Sequence, residues 1–176
     1  MKRIFYFAFS LLLFFYVSEQ SLASELMKKQ RDELSDLISD VNKAVKNKNF
    51  TAISARIPSR LYKEMARRLN TTEHNLRDSF LKHLHAQFKN LPDGAFHLDA
   101  KNIDYHQTDK GTLYALIPTV LETKDRIIQY KTLAIFDKMQ WYLIYGGQKT
   151  VQNPVFLEIY PDFHKVHFPK EKVINK

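Results

Sequence analysis

The chain has 176 residues, a formal net charge of +8 at pH 7 and no cysteine. Without cysteine there is no disulfide framework, no thiol chemistry and no cysteine-linked lipid anchor, so a folded domain must be held by its core. The length suits one ordinary domain.

Lys2 and Arg3 lead into an apolar run from Ile4 to Val17, followed by a polar stretch ending in Ser21-Leu22-Ala23. A positive start, a short apolar stretch and a small-residue cleavage site predict a signal peptide over residues 1–23. The run falls short of the roughly 20 apolar residues that span a bilayer. The expected organisation is a signal peptide at 1–23, one domain over 24–169 and a frayed tail at 170–176. The expected product is periplasmic or secreted and does not span a membrane after cleavage. Export also changes what the basic charge implies. Nucleic acid is set aside as a partner, and the polyanions within reach are lipid head groups, anionic glycans and acidic proteins.

Over residues 25–46, Leu34, Leu37, Ile38, Val41, Ala44 and Val45 recur at helical spacing with polar residues between them, which predicts an amphipathic helix. A short helix is expected over 50–56, ended by Pro58, and a third over 59–69. Asn70, with Glu73 three positions on, reads as the cap of a fourth helix over 72–90. That helix carries Leu76, Phe80, Leu84 and Phe88 as its stripe. The expected packing sets Leu34, Leu37, Val41 and this stripe against one face of a sheet.

After Pro92-Asp93-Gly94 the hydrophobic period changes to two. Four strand segments are expected, at 95–108, 112–123, 127–136 and 140–146, joined by short turns and therefore antiparallel. Pro118 cannot donate to a ladder and predicts a bulge or an edge. A short helix should follow Asn153-Pro154, with a small edge strand at 166–168. The fold class is therefore α+β, with N-terminal helices packed on a curved antiparallel β-meander, a cone-shaped roll.

Three stretches sharpen this: Gly111-Thr112-Leu113-Tyr114-Ala115-Leu116-Ile117-Pro118, Thr132-Leu133-Ala134-Ile135-Phe136, and Lys138-Met139-Gln140-Trp141-Tyr142-Leu143-Ile144. Following helices, they resemble the nuclear transport factor 2-like (cystatin-like, SnoaL-like) superfamily and its uncharacterised exported bacterial members. The resemblance implies a sheet wrapped around helices, often with a pocket at the open end. It fixes no activity, because isomerases, cyclases and ligand binders share the roll. No catalytic set matches position by position, and none is carried over.

Of the histidines, His83 and His85 point apart on a helix, and His164 and His167 lack completing ligands, so no metal and no cofactor is expected. Asp99, Asp104 and Glu122 are the strand carboxylates that a pocket could tune into a base. Arg56, Arg60, Lys63 and Arg67 recur three to four residues apart as a basic stripe suited to an acidic protein or an anionic envelope component. Tyr114, Tyr130 and Trp141 are the aromatic candidates for lining a cavity that takes a small apolar ligand. The leading reading is an exported, non-enzymatic binding or protein-interaction domain, for example an inhibitor or immunity-type protein. The alternative is an isomerase- or cyclase-type enzyme with a pocket carboxylate.

Overall fold

The computed structural model describes residues 26–176, so the signal-peptide expectation lies outside the described residues. The chain divides into two units, residues 1–36 and 37–176. In the first, residues 26–36 are helical, and Lys29 lies 3.8 Å from Glu33 one turn on. Everything below concerns the second.

The helix α1 (residues 26–46) buries Leu37, Ile38, Val41 and Ala44 at the expected spacing. Lys48 then takes a left-handed conformation, and Asn49 caps α2 (Phe50–Ser54), its side chain accepting from the Ala52 N–H. Pro58 opens α3 (Ser59–Arg68). Asn70 ends α3 instead of capping the next helix. It sits at φ +49°, its N–H donates to Arg67, and the Thr71 N–H reaches back to Ala66. This is the paired closure that a left-handed residue provides after a helix. Thr72 takes over as the cap of α4 (Glu73–Phe88), accepting from the Asn75 N–H.

The stripe on α4 is only half-buried: Leu76, Phe80, Leu84 and Phe88 all keep partial exposure, and no α4 residue is fully buried. This corrects the expectation that the stripe lies in the core under the sheet. α4 packs on α2 and α3, and reaches the sheet where the Phe88 ring meets Phe96.

The sheet has six strands but four lanes. β1 (Phe96–Leu98) and β2 (Asp104–Gln107) follow each other along one side of β3 (Leu113–Glu122). β3 pairs along its length with β4 (Arg126–Asp137), whose outer side carries β5 (Gln140–Ile144) at one end and β6 (Lys172–Asn175) at the other. All pairings are antiparallel, and the sheet curves into a half-barrel, giving the α+β class with helices before a curved meander. β4 and β5 are joined through Lys138 and Met139, both at positive φ, as the right-handed twist of a two-residue hairpin demands.

Pro118 explains why the segment at 95–108 is two strands. It faces Asp99 at a position where two ladder bonds would normally form. Asp99 N–H donates to the Pro118 carbonyl at 2.8 Å, and Pro118 has no N–H to return. The chain leaves the ladder there and rejoins it at Asp104, opposite Leu116. On the β4 side the register runs unbroken through Pro118 and Lys131, because the proline nitrogen points the other way. Leu98, just before the break, has its N–H and carbonyl turned outward. The Asn42 side chain satisfies both, at 2.9 Å each, closing that edge. The β5 edge is covered similarly, by the Leu143 N–H donating to Arg56.

Both faces of the sheet are covered at its centre. One carries Leu116, Leu133, Ile135 and Ile144, packed with Leu61 of α3 and with residues of the C-terminal helices. These are α5 (Gly147–Val151), α6 (Pro154–Ile159) and a 3-10 turn (Pro161–Lys165), contributing Val151, Phe156, Tyr160 and Phe163. The other face carries Ala115, Ile117, Thr119, Ala134 and Leu143, also buried, with the Thr119 and Thr132 hydroxyls paired at 2.7 Å. Runs such as Ala115-Leu116-Ile117 are continuous because each face has a cover.

Residues 166–168 form no strand. The expected frayed tail is instead β6, a correction with a clear cause. Val173 and Ile174 pair with Ile128 and Ile127. Lys176 fastens the end, its Nζ 2.7 Å from Glu122 and 2.8 Å from the Thr123 carbonyl, and its N–H on Asp125.

Candidate functional site

The break at Pro118 and the return of the C-terminal strand together make a groove. On one side, residues 99–103 loop out, held by the Asp99 carboxylate, which accepts from the Lys101 N–H at 2.8 Å and from Asn102 Nδ2 at 2.6 Å. On the other, residues 169–172 run into β6. Between them lies a hollow of about 660 Å³, floored by Pro118, Thr119 and Val120 of β3 and by Gln129, Tyr130 and Lys131 of β4. It exceeds the hollows of about 230 and 250 Å³ beside α1 and α4, and lies in the range of small-molecule sites.

The groove is cationic. His97, Lys101, Lys131, Lys170 and Lys172 line it, against Asp99 alone. Asp99 is spent on its own turn, and the Asn102 and Lys101 hydrogen bonds hold its carboxyl below the usual range. Lys131 pairs with Asp104 at 2.8 Å. Lys101, Lys170 and Lys172 make no ion pair with any acid among the described residues. All three are exposed. Three uncompensated ammonium groups around one concavity make a positive potential that ordinary scattered lysines do not.

The arginine stripe, by contrast, is spent on the protein itself. Arg56 lies 3.5 Å from Asp40. Arg60 stacks over the Tyr160 ring at 3.9 Å and pairs with Asp137 at 2.9 Å. Arg67 and Arg68 share Glu64, at 2.7 and 2.8 Å, and Arg68 also reaches Glu158 on α6. Bonds from Arg67, then Arg68, pull the Glu64 carboxyl down to about 2. Lys63 alone of the four is exposed with no such pair.

The aromatic candidates part company. Tyr114 stacks on His106 and meets Phe163, and Trp141 is buried between Tyr105 and Phe136. Both are packing residues. Tyr130 alone reaches the groove, and burial, aided by Glu171, pushes its phenol up to about 12. Of the carboxylates, Asp99 reaches the groove in its turn, Asp104 pairs with Lys131, and Glu122 pairs with Lys176. Asp104 is exposed, and Asp99 and Glu122 are partly so. His164 and His167 bond the Pro161 and Lys165 carbonyls through Nδ1, at 2.9 and 2.8 Å.

Sequence reasoning misses Lys101, Lys131, Lys170 and Lys172 because they come from three separate stretches with no common spacing. Their one sequence signal is indirect: Pro118 marks where a neighbouring strand must leave the ladder. No helix among the described residues is long and apolar enough to cross a membrane. Compared with models of known families, with curated proteins and with solved structures, the chain matches none.

Proposed function

We propose that this chain is an exported, non-enzymatic binding protein of the nuclear transport factor 2-like kind that holds an anionic partner in the groove beside β6. The observation that carries the reading is the set of Lys101, Lys170 and Lys172, unpaired around a hollow of about 660 Å³. Helices followed by a curved antiparallel meander support the family likeness. The charged start and apolar run of residues 1–17 support export. The enzyme alternative needs a carboxylate kept protonated or basic by an apolar enclosure. Asp99, Asp104 and Glu122 lie instead in hydrogen bonds or ion pairs near solvent, which favours binding over proton transfer.

The test is charge reversal. Lys101→Glu with Lys170→Glu should weaken binding of polyglutamate or inorganic phosphate by about tenfold or more, and wild-type binding should fall as salt rises. Thermal unfolding should stay close to that of the wild type, since neither lysine holds an ion pair. Equal binding by wild type and variant sinks the groove as the working surface.

A further inference from the structure

The chemistry of the groove goes further than its sign. Every unpaired cation in it is a lysine, and no arginine lines it. Arginine offers a planar fork matched to carboxylates and phosphates alike, two parallel bonds at a time. Lysine offers a compact charge with three rotatable donors and no preferred plane, and three of them around one concavity match the near-double charge of a phosphate monoester better than the single charge of a carboxylate. The three ammonium groups also come from both walls: Lys101 from the loop after β1, and Lys170 and Lys172 from the stretch that becomes β6. They can therefore meet one anion from two sides.

The floor adds a second requirement. Pro118 and Val120 from β3 and Pro169 from the C-terminal stretch present apolar surface beside the cations. A hollow of about 660 Å³ is far larger than a bare phosphate needs, and falls where ligands with an organic body bind. Polar hydrogen-bonding groups are few: Gln129, the Thr119 stretch of backbone and the Tyr130 stretch line the base. A ligand with one charged end and an apolar body fits both parts.

We infer that the groove binds an organic phosphate, its phosphate gripped by Lys101, Lys170 and Lys172 and its apolar body laid on Pro118, Val120 and Pro169. This rests on the anion-binding reading above and narrows it. The phosphate can belong to a soluble phosphate ester or to a phospholipid head group, and the experiment separates the two.

Phenyl phosphate, benzoate, inorganic phosphate and polyglutamate are titrated into the protein by calorimetry, and chemical shifts of the groove amides are followed in parallel. Phenyl phosphate is expected to bind about tenfold tighter than benzoate, which has the same ring but a planar carboxylate, and several-fold tighter than inorganic phosphate, which lacks the ring. Lys101→Gln with Lys170→Gln should remove the phenyl phosphate preference, and Val120→Ser should weaken phenyl phosphate while leaving inorganic phosphate unchanged. Circular dichroism of each variant checks the fold. Co-sedimentation with phosphatidylglycerol vesicles but not phosphatidylcholine vesicles, lost in the lysine variant, assigns the lipid source. Phenyl phosphate binding without sedimentation assigns the soluble one. Benzoate or polyglutamate binding as tightly as phenyl phosphate, through the same lysines, overturns the phosphate assignment and leaves the anion-binding reading standing. No binding of any of the four overturns both.

Discussion

Spacing puts Arg60 in a solvent-facing basic row, and packing gives it another task. Its guanidinium lies over Tyr160 and against Asp137, and the Tyr160 hydroxyl donates to the same carboxylate at 3.3 Å. One arginine thus ties α3 to α6 and to the end of β4. Burial pushes the Tyr160 phenol up to about 12, so it stays a donor at any ordinary pH. Arg60→Glu would set two carboxylates side by side and strip the ring of its cation. With Arg60 about 38% and Asp137 about 20% exposed, solvent softens the loss, and we expect a cost of about 1–3 kcal/mol in urea unfolding. Arg67→Glu, whose partner Glu64 keeps Arg68, should cost clearly less than Arg60→Glu. Similar costs for the two variants would contradict this division of labour. Alternation in sequence supplies the spacing of such residues; it cannot supply the partner, because Asp137 and Tyr160 are remote in the chain and close only after the C-terminal helices fold back.

Among the elements, those with local causes are the ones the sequence displays. α1, α2 and α3 follow their apolar spacing and caps, and the turn at 137–140 sits where a charged stretch interrupts alternation. That hairpin holds Lys138 and Met139 at φ +49° and +64°, and Met139 is 75% exposed, so nothing packs to repay the conformation. Left-handed geometry costs roughly 1–2 kcal/mol for a residue with a Cβ. Replacing Lys138-Met139 by Asn-Gly should therefore raise stability by about 0.5–1 kcal/mol, read as a higher unfolding midpoint. An unchanged or lower midpoint would mean that the side chains matter more than the backbone. The elements that sequence misreads have non-local causes. α4 has a well-spaced stripe, yet it packs mainly on two short helices and meets the sheet at its end through Phe88, so the stripe stays half-buried. β6 has only four residues and looks like a frayed end; its stability comes from a lane on β4 that β5 leaves vacant.

For the whole molecule, charge and pH are the common measure. Net charge is visible in composition, but which cations are free is not: most arginines in the helical half are matched, while Lys101, Lys170 and Lys172 line the groove without an ion pair. Carboxylates carry the acid response. Arg67 and Arg68 lower Glu64 to about 2, Asn102 and the Lys101 N–H lower Asp99, and Lys165 lowers Asp109. A folded-state value below the unfolded one gives stability that is present above the unfolded value and is lost as pH falls through the folded one. The unfolded references are 4.5 for Glu64 and 3.8 for the aspartates. Urea midpoints should thus hold steady from about pH 7 to 5 and drop from about pH 4.5 towards 2. Glu64→Gln should flatten part of that drop, and an identical pH profile in the variant would remove Glu64 from the account. The α+β class is legible from helical spacing giving way to alternation after Gly94. The groove is not, since it depends on two lanes of the sheet being shared by unrelated strands.

The unreturned bond at Pro118 has a consequence for how this surface can change. The β3–β4 register is continuous past the proline, and the β1 edge is closed by Asn42, so residues 100–103 bear on neither. Lengthening, shortening or rewriting that loop leaves every ladder in place while replacing one wall of the groove. A scaffold of this kind lets ligand preference drift by insertion and deletion without a toll on folding, so among descendants of this chain the loop is where length should vary first.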